Sequence, residues 1–362
     1  MKIKYGTLLA VALFLLFCGA AVAYFYLFSV GLEKGEDGVA MLTGAVNAHD
    51  HFVYVDTIAR LARDGFGYEL NNDVGISYFY LLINEWFFDG AEDYLYLALY
   101  VNLLFLLLSF ICYIKICDYY GFGAWVKCAF FAGVHLLYFA QLINKDMSSV
   151  FLILFSVYAA LYRHWLSLLL MIPLYALVRQ QLLVYVALFI FIQTAAWPLW
   201  RIVIAYVMTS LVAAYLVVHN NIIGSESLED GFSALVYGLN AQTYLGYLLL
   251  NPIRVLQFIQ DSILSFFFIL PDGSIDMGRL LRTPQILLLI LMAWPLWIGF
   301  KRFRDGLQDA SRPLYSALFA YLMAWLMNPT VNARYVMLIA PVLVLIACYA
   351  QRKYLTRRVV YA

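Results

Sequence analysis

Asp50 stands between His49 and His51 in a polar stretch of the chain, followed by apolar residues at 52, 55, 58, 59 and 62 that recur at helical spacing. That spacing predicts a helix with Asp50 at its start, where backbone donors stabilise a carboxylate. Such an aspartate either caps the helix or serves as a base at the mouth of a membrane cavity. His49 and His51 fall on different faces, so they do not form a two-histidine metal site. Lys145-Asp146 is a charged pair in a tight turn between apolar runs, and Arg179-Gln180 interrupts another. Ionisable residues beside or within membrane segments are costly and mark functional sites by default, the plain alternatives being interface anchors and a snorkelling arginine. Arg334-Tyr335 opens the last apolar run, and Arg254, Arg279 and Arg282 precede it. Arginine grips phosphate with two parallel hydrogen bonds and never loses its charge. Together these types could bind a phosphorylated substrate beside an acid–base carboxylate. Arg179, Arg334, Lys145 and Arg254 are the candidate phosphate ligands, and Asp50 and Asp146 the candidate catalytic acids. His49, His51, Tyr54 and Gln180 are further polar candidates for substrate binding.

The elements that must position these residues are membrane helices. The 362-residue chain is 65% hydrophobic and 12% charged, against roughly 45–50% and about 25% for soluble domains. Crossing a hydrocarbon core takes runs of about 17–25 apolar residues, and the continuous runs here exclude a β-barrel, whose strands alternate. The expectation is an all-α, polytopic membrane helix bundle of about 10–12 spans forming a single domain over 1–362. Two segments stand apart, an external loop over 31–92 with interfacial helices and a second external or interfacial region over 219–284.

Orientation follows from the positive-inside tendency. Lys2 and Lys4 precede an uncleaved first helix, and both termini are expected in the cytoplasm. Further spans fall at about 93–114, 125–141, 149–163, 165–178, 182–199, 202–218, 285–300, 313–327 and 335–350. Between Leu32 and Tyr94 there are twelve acids against three bases, which marks this loop as external. The segment 232–270 either crosses twice around Asn251-Pro252 or lies in the outer interface, and the second version is favoured. The five cysteines sit in or beside apolar runs, away from the large loop, with no metal-ligand spacing. A phosphate-cradling glycine loop, an HExxH pair and a nucleophile elbow are all missing. A net charge of +1 gives no attraction for nucleic acid.

The layout resembles the GT-C class of polytopic glycosyltransferases and the related membrane polysaccharide polymerases of bacterial surface-glycan pathways. The resemblance rests on Asp50, Tyr54, Ala59 and Gly65 in the first external loop and on the short run from Gly75 to Phe88 that dips back toward the membrane. It rests also on Asn144-Lys145-Asp146 followed by Arg179-Gln180, and on Asn332-Ala333-Arg334-Tyr335-Val336 with Pro341. It implies inverting glycosyl transfer at the external face of the bacterial inner membrane, from a polyprenyl-(di)phosphate-linked sugar or oligosaccharide. In that scheme Asp50 is the general base, and Arg179, Arg334 and Lys145 hold the leaving phosphate. Asp146 is a second acid near the acceptor or a metal. Where many of these enzymes carry two adjacent acids, Asp50 lies between histidines. No cofactor is assigned, and a divalent metal ion stays open. A repeat-unit polymerase of the same architecture is an alternative; a lipid-linked sugar transporter or flippase is one of a different class.

Overall fold

The computed structural model describes residues 5–35, 45–46, 48–65, 72–88, 90, 93–194, 198–220, 231–327 and 333–355. Residues 328–332 and much of the segment 31–92, including Phe66 to Asn71, lie outside the described residues. Among the described residues the chain is helical and forms no strand, only one isolated antiparallel bridge between Ile269 and Ile275.

The helices run α1 (Tyr5–Phe28), α2 (Ala48–Asp64), α3 (Asn72–Phe87), α4 (Tyr94–Tyr120), α5 (Ala124–Cys128), α6 (His135–Phe139), α7 (Asp146–Leu161), α8 (Trp165–Leu170) and α9 (Ile172–Val178). They continue as α10 (Gln180–Gln193), α11 (Pro198–Asn220), α12 (Gly231–Thr243), α13 (Gly246–Leu264), α14 (Met277–Leu291), α15 (Ala293–Lys301), α16 (Phe303–Gly306), α17 (Arg312–Trp325) and α18 (Ala333–Ala350). Among the described residues four stretches are long and apolar enough to cross a membrane: α1, α4, Pro198–Leu216 and Arg334–Tyr354. A fifth arises if α14 and α15, bent by 59° at their junction, count as one span.

That bend breaks the expected span 285–300, and two further expected spans are broken. The run 125–141 divides into α5, a 3-10 turn at Ala129–Ala132 and α6, with Gly133 at the break. The run 165–178 divides into α8 and α9, with Pro173 in the first turn of α9 where its missing N–H costs nothing. Neither α12, with 13 residues, nor α13 is both long and apolar enough to qualify as a span. Instead α13 turns Leu249, Ile253, Leu256 and Ile263 outward and buries Asn251, Arg254 and Phe258.

The centre of the bundle is α7, buried on almost every side, as expected of a helix that is apolar all round. It packs along α4, while α10 packs along α17 and α18 lies against α17, α15 and α13. The α2–α3 pair rests on α9 at Gly75, where a Cβ would come within 2.4 Å of the Leu177 carbonyl oxygen. That contact brings the first turn of α3 beside the end of α9.

Between α6 and α7 the buried backbone leaves helical geometry over residues 140–145. Buried backbone N–H and C=O groups must find partners outside helical geometry, and here side chains supply them. Asn102 Nδ2 donates to the carbonyls of Leu142 at 2.9 Å and Ala140 at 3.2 Å. Gln141 donates to Leu137 and Ala21 and accepts from Ser29. Asn144 donates to the carbonyls of Phe139 and Leu142, and its Oδ1 accepts from the N–H groups of Asp146 and Met147. Asn102→Leu leaves the buried Ala140 carbonyl without its side-chain donor, at about 1–3 kcal/mol, and removes one of the two donors to the Leu142 carbonyl. Thermal unfolding in detergent should therefore show Asn102→Leu clearly less stable than native, while Leu104→Ala on the outward face of α4 stays close to native.

Candidate functional site

At the N-terminal end of α7, segments distant in sequence bring their charges together. The Asp146 carboxylate has no exposure. Its Oδ2 receives Arg334 Nη2 at 2.5 Å and Nε at 2.6 Å, and its Oδ1 faces Arg179 Nη2 at 3.4 Å. Arg334 extends from the first turn of α18 and Arg179 from the extended residue between α9 and α10. The remaining Arg334 nitrogen, Nη1, reaches Asp50 Oδ2 at 3.3 Å, so one guanidinium bridges two carboxylates. The Phe139 ring lies under Arg334, with 5.1 Å from Cζ to the ring centre. Arg179 sits 5.9 Å from the centres of both the Trp325 and Tyr335 rings. These aromatic faces add a modest cation–π attraction and restrict the two guanidinium groups.

In front of this clamp opens a cavity of about 300 Å³ lined by Asp50, Tyr54, Asp73, Lys145, Arg179, Gln181, Arg334 and Tyr335. Lys145 is buried, ion-paired to Asp73 at 2.8 Å and 5.1 Å from the centre of the Tyr54 ring. Burial, with the Arg179 charge beside it, brings the Lys145 ammonium down to about 8, against the opposing pull of Asp73 and Asp50. Burial and the Asp50 and Asp73 charges push the Tyr54 phenol up, opposed by Arg179 and Arg334, so the hydroxyl keeps its proton. The Asp50 and Asp73 side chains are 29% and 48% exposed. Ion pairs with such partly solvated acids are weak, and an incoming anion can take their place. The Asp146 pairs are shielded from water and fix the geometry.

Asp50, Tyr54, Lys145, Arg179 and Arg334, all named from the sequence, line the cavity. Asp146 does not: it stands behind the arginines with both oxygens committed to them, which makes it their anchor. His51 is also behind the site, where Nδ1 accepts from the Ile143 N–H at 3.2 Å. Burial pushes it down to about 4, so it stays neutral and braces the irregular segment. His49 is exposed on the first turn of α2 and does not line the cavity. Gln180 is exposed, and its neighbour Gln181 takes the place expected for it. Arg254 is buried apart from the cavity, donating to Asn251 Oδ1 at 2.9 Å and to the Leu326 carbonyl at 2.6 Å. It therefore joins α13 to the end of α17 rather than the phosphate ligands.

Asp73 and Tyr335 belong to the cavity and were not expected there as site residues. Asp73 had one sequence signal, its place two residues before the glycine that seats α3 against α9. Among the described residues no three His, Cys, Asp or Glu side chains converge as metal ligands.

No protein-family model, curated protein or solved structure matches this chain.

The arrangement suits a doubly charged anion held by Arg179, Arg334 and Lys145. Lys145 is charged at pH 7 and loses its proton as pH rises through about 8. Anion binding favours the charged form, so the affinity for inorganic phosphate should fall above that pH, by up to about tenfold per unit. Lys145→Arg should remove this fall, as isothermal titration of the detergent-purified protein across pH 7–9.5 would show. Asp146→Asn breaks a buried ion pair and leaves two facing cations, at about 3–5 kcal/mol. The expected result is a lower unfolding temperature together with loss of phosphate binding.

Proposed function

We propose that the chain is a polytopic membrane glycosyltransferase, acting at the external face of a bacterial inner membrane on a polyprenyl-(di)phosphate-linked sugar donor. The observation that carries this reading is the cavity itself, in which two clamped arginines and a lysine face a partly exposed aspartate. Arginines on the outer side run against the positive-inside tendency, and a buried arginine pair beside a carboxylate fits the transfer of a group off a phosphate. The aromatic wall of Tyr54 and Tyr335 is also suited to a sugar ring, by stacking. The apolar helices that surround the site leave the polyprenyl chain in lipid, so it needs no polar pocket.

In this mechanism Asp50 takes the proton of the acceptor hydroxyl as its oxygen attacks the anomeric carbon from the face opposite the phosphate. The bond from that carbon to the phosphate oxygen breaks, and the electron pair leaves on the phosphate. Inversion follows from the single displacement. Arg179, Arg334 and Lys145 stabilise the charge that grows on the leaving group, the electrostatic effect that usually contributes most to catalysis. A general base contributes typically about 10²–10⁴-fold. Transfer of one sugar and polymerisation of preassembled repeat units share all of these steps and differ only in what the acceptor carries.

The topology proposed with this function has about ten spans, both termini in the cytoplasm, and α12–α13 lying in the outer interface. The outward row Leu249, Ile253, Leu256 and Ile263 on α13 supports that last placement.

The function is tested in the native host by comparing lipid-linked glycans and surface polysaccharide between native protein and Asp50→Asn at equal abundance. Build-up of an unextended lipid-linked sugar is expected, and the accumulated species identifies the step. An unchanged lipid-linked pool with normal surface glycan would contradict the proposal and favour transport.

A further inference from the structure

The Asp50–Arg334 pair borders two spaces. On one side is the 300 Å³ cavity; on the other is a crevice of about 10 Å³ that Asp50 and Arg334 share with Tyr138, Phe139 and Asn144. A space of that size holds about one water or hydroxyl group. Beyond the crevice, α6 packs against α14. The Arg282 Nε donates to the Gly278 carbonyl at 2.7 Å, which ties the guanidinium back along α14. Among the described residues its two Nη atoms have no hydrogen-bond or ion-pair partner.

Tyr138 and Arg282 converge on Gly278: a Cβ there would lie 3.4 Å from Arg282 Nη2 and 3.6 Å from Tyr138 Cζ, with the Asp276 Oδ1, the helix cap that also pairs with Arg279, at 3.2 Å. Any side chain in place of Gly278 would fill the angle between the phenol and the guanidinium. His135 precedes Tyr138 by three residues, on the same face of α6. It is 1% exposed, and among the described residues both of its ring nitrogens lack a partner. The charges of Arg282 and Asp146 both act on it. Buried polar groups are nearly always paired. An orphaned imidazole beside a guanidinium with two free nitrogens marks polar space that a ligand completes.

We propose that Arg282, Tyr138 and His135 form a second anion-binding subsite, which anchors a phosphate group of the acceptor while the acceptor hydroxyl reaches Asp50 through the crevice. This rests on the glycosyl-transfer reading and deepens it. The donor phosphate occupies the large cavity and the acceptor phosphate lies on the opposite side of the Asp50–Arg334 pair. The base then stands between the two substrates, and the crevice admits a hydroxyl group but not a second sugar.

The probe is inorganic diphosphate, titrated calorimetrically into the full chain in a neutral detergent. Two equivalents are expected for the native protein, and one each for Arg282→Gln and Arg179→Gln. Arg282→Lys, which keeps the charge and loses the fork, should retain the second equivalent with weakened affinity and thereby exclude misfolding as the cause. The inference is overturned if Arg282→Gln still binds two equivalents, or if the native protein binds one that only Arg179→Gln removes; the latter result leaves the donor site standing. If Arg282→Gln loses an equivalent while Arg179→Gln loses none, the second subsite stands and the donor reading falls. The same titration in nanodiscs separates acceptor from bulk lipid. The second equivalent should persist in both phosphatidylcholine and phosphatidylglycerol discs, whereas its loss in phosphatidylglycerol alone would assign Arg282 to ordinary headgroups and overturn the subsite.

Discussion

The Asp146 carboxylate, wholly removed from solvent, holds Arg334 through one oxygen and Arg179 through the other. Withdrawing a carboxylate from water costs several kcal/mol, and only close, well-aligned cations offset it. Three segments distant in sequence are therefore tied to one atom group: the start of α7, the break between α9 and α10, and the first turn of α18. The same tie directs the outer nitrogens of both arginines toward the cavity. Arg334 then reaches Asp50 on α2 and draws in the fourth segment. Packing of apolar helices alone would hold the bundle together but would not set the angle of a guanidinium to the tolerance that phosphate chemistry needs.

The clamp depends in turn on the backbone that delivers Asp146. A straight helix through residues 135–161 would carry the aspartate past the arginines. The chain instead breaks after α6, crosses the core in irregular form, and restarts at Asp146. Asn102, Gln141, Asn144 and His51 make that break possible by pairing its backbone groups. They perform no chemistry in the proposed mechanism and still decide where its residues stand. Around this fixed centre the pairs of Lys145 with Asp73 and of Arg334 with Asp50 are the exchangeable ones, because their acids remain partly in water. A rigid inner pair and labile outer pairs let a substrate anion enter without dismantling the site.

Lys145, Asp146, Arg179 and Arg334 were legible in the sequence because each of these charges interrupts or borders an apolar run, where only a partner makes it tolerable; Asp50 and Tyr54 were legible from their place at the start of a helix in the acidic first loop. Their order of depth was not legible. Charge type cannot tell the buried anchor Asp146 from the partly exposed Asp50, since that depends on which way α7 faces after the break. Gln180 and Gln181 differ by one residue, a rotation of about 100° on a helix, and the phase is set by the extended Arg179. His51 looked like a polar site residue because its partner is a backbone N–H ninety-two positions away, a relation without a sequence pattern. The helical class followed from composition, but the hydrophobic runs concealed the breaks near Gly133 and Pro173, since a run scores as apolar whether or not its backbone is continuous.

The most direct measurement is an experimental structure of the full chain in lipid nanodiscs with a polyprenyl diphosphate. The diphosphate density is expected in the large cavity, in contact with Arg179, Arg334 and Lys145, with Asp146 still holding both arginines and Asp50 facing the far side of the phosphate. A diphosphate bound elsewhere, with the arginines turned only toward Asp146 and the cavity filled by water, would contradict that expectation.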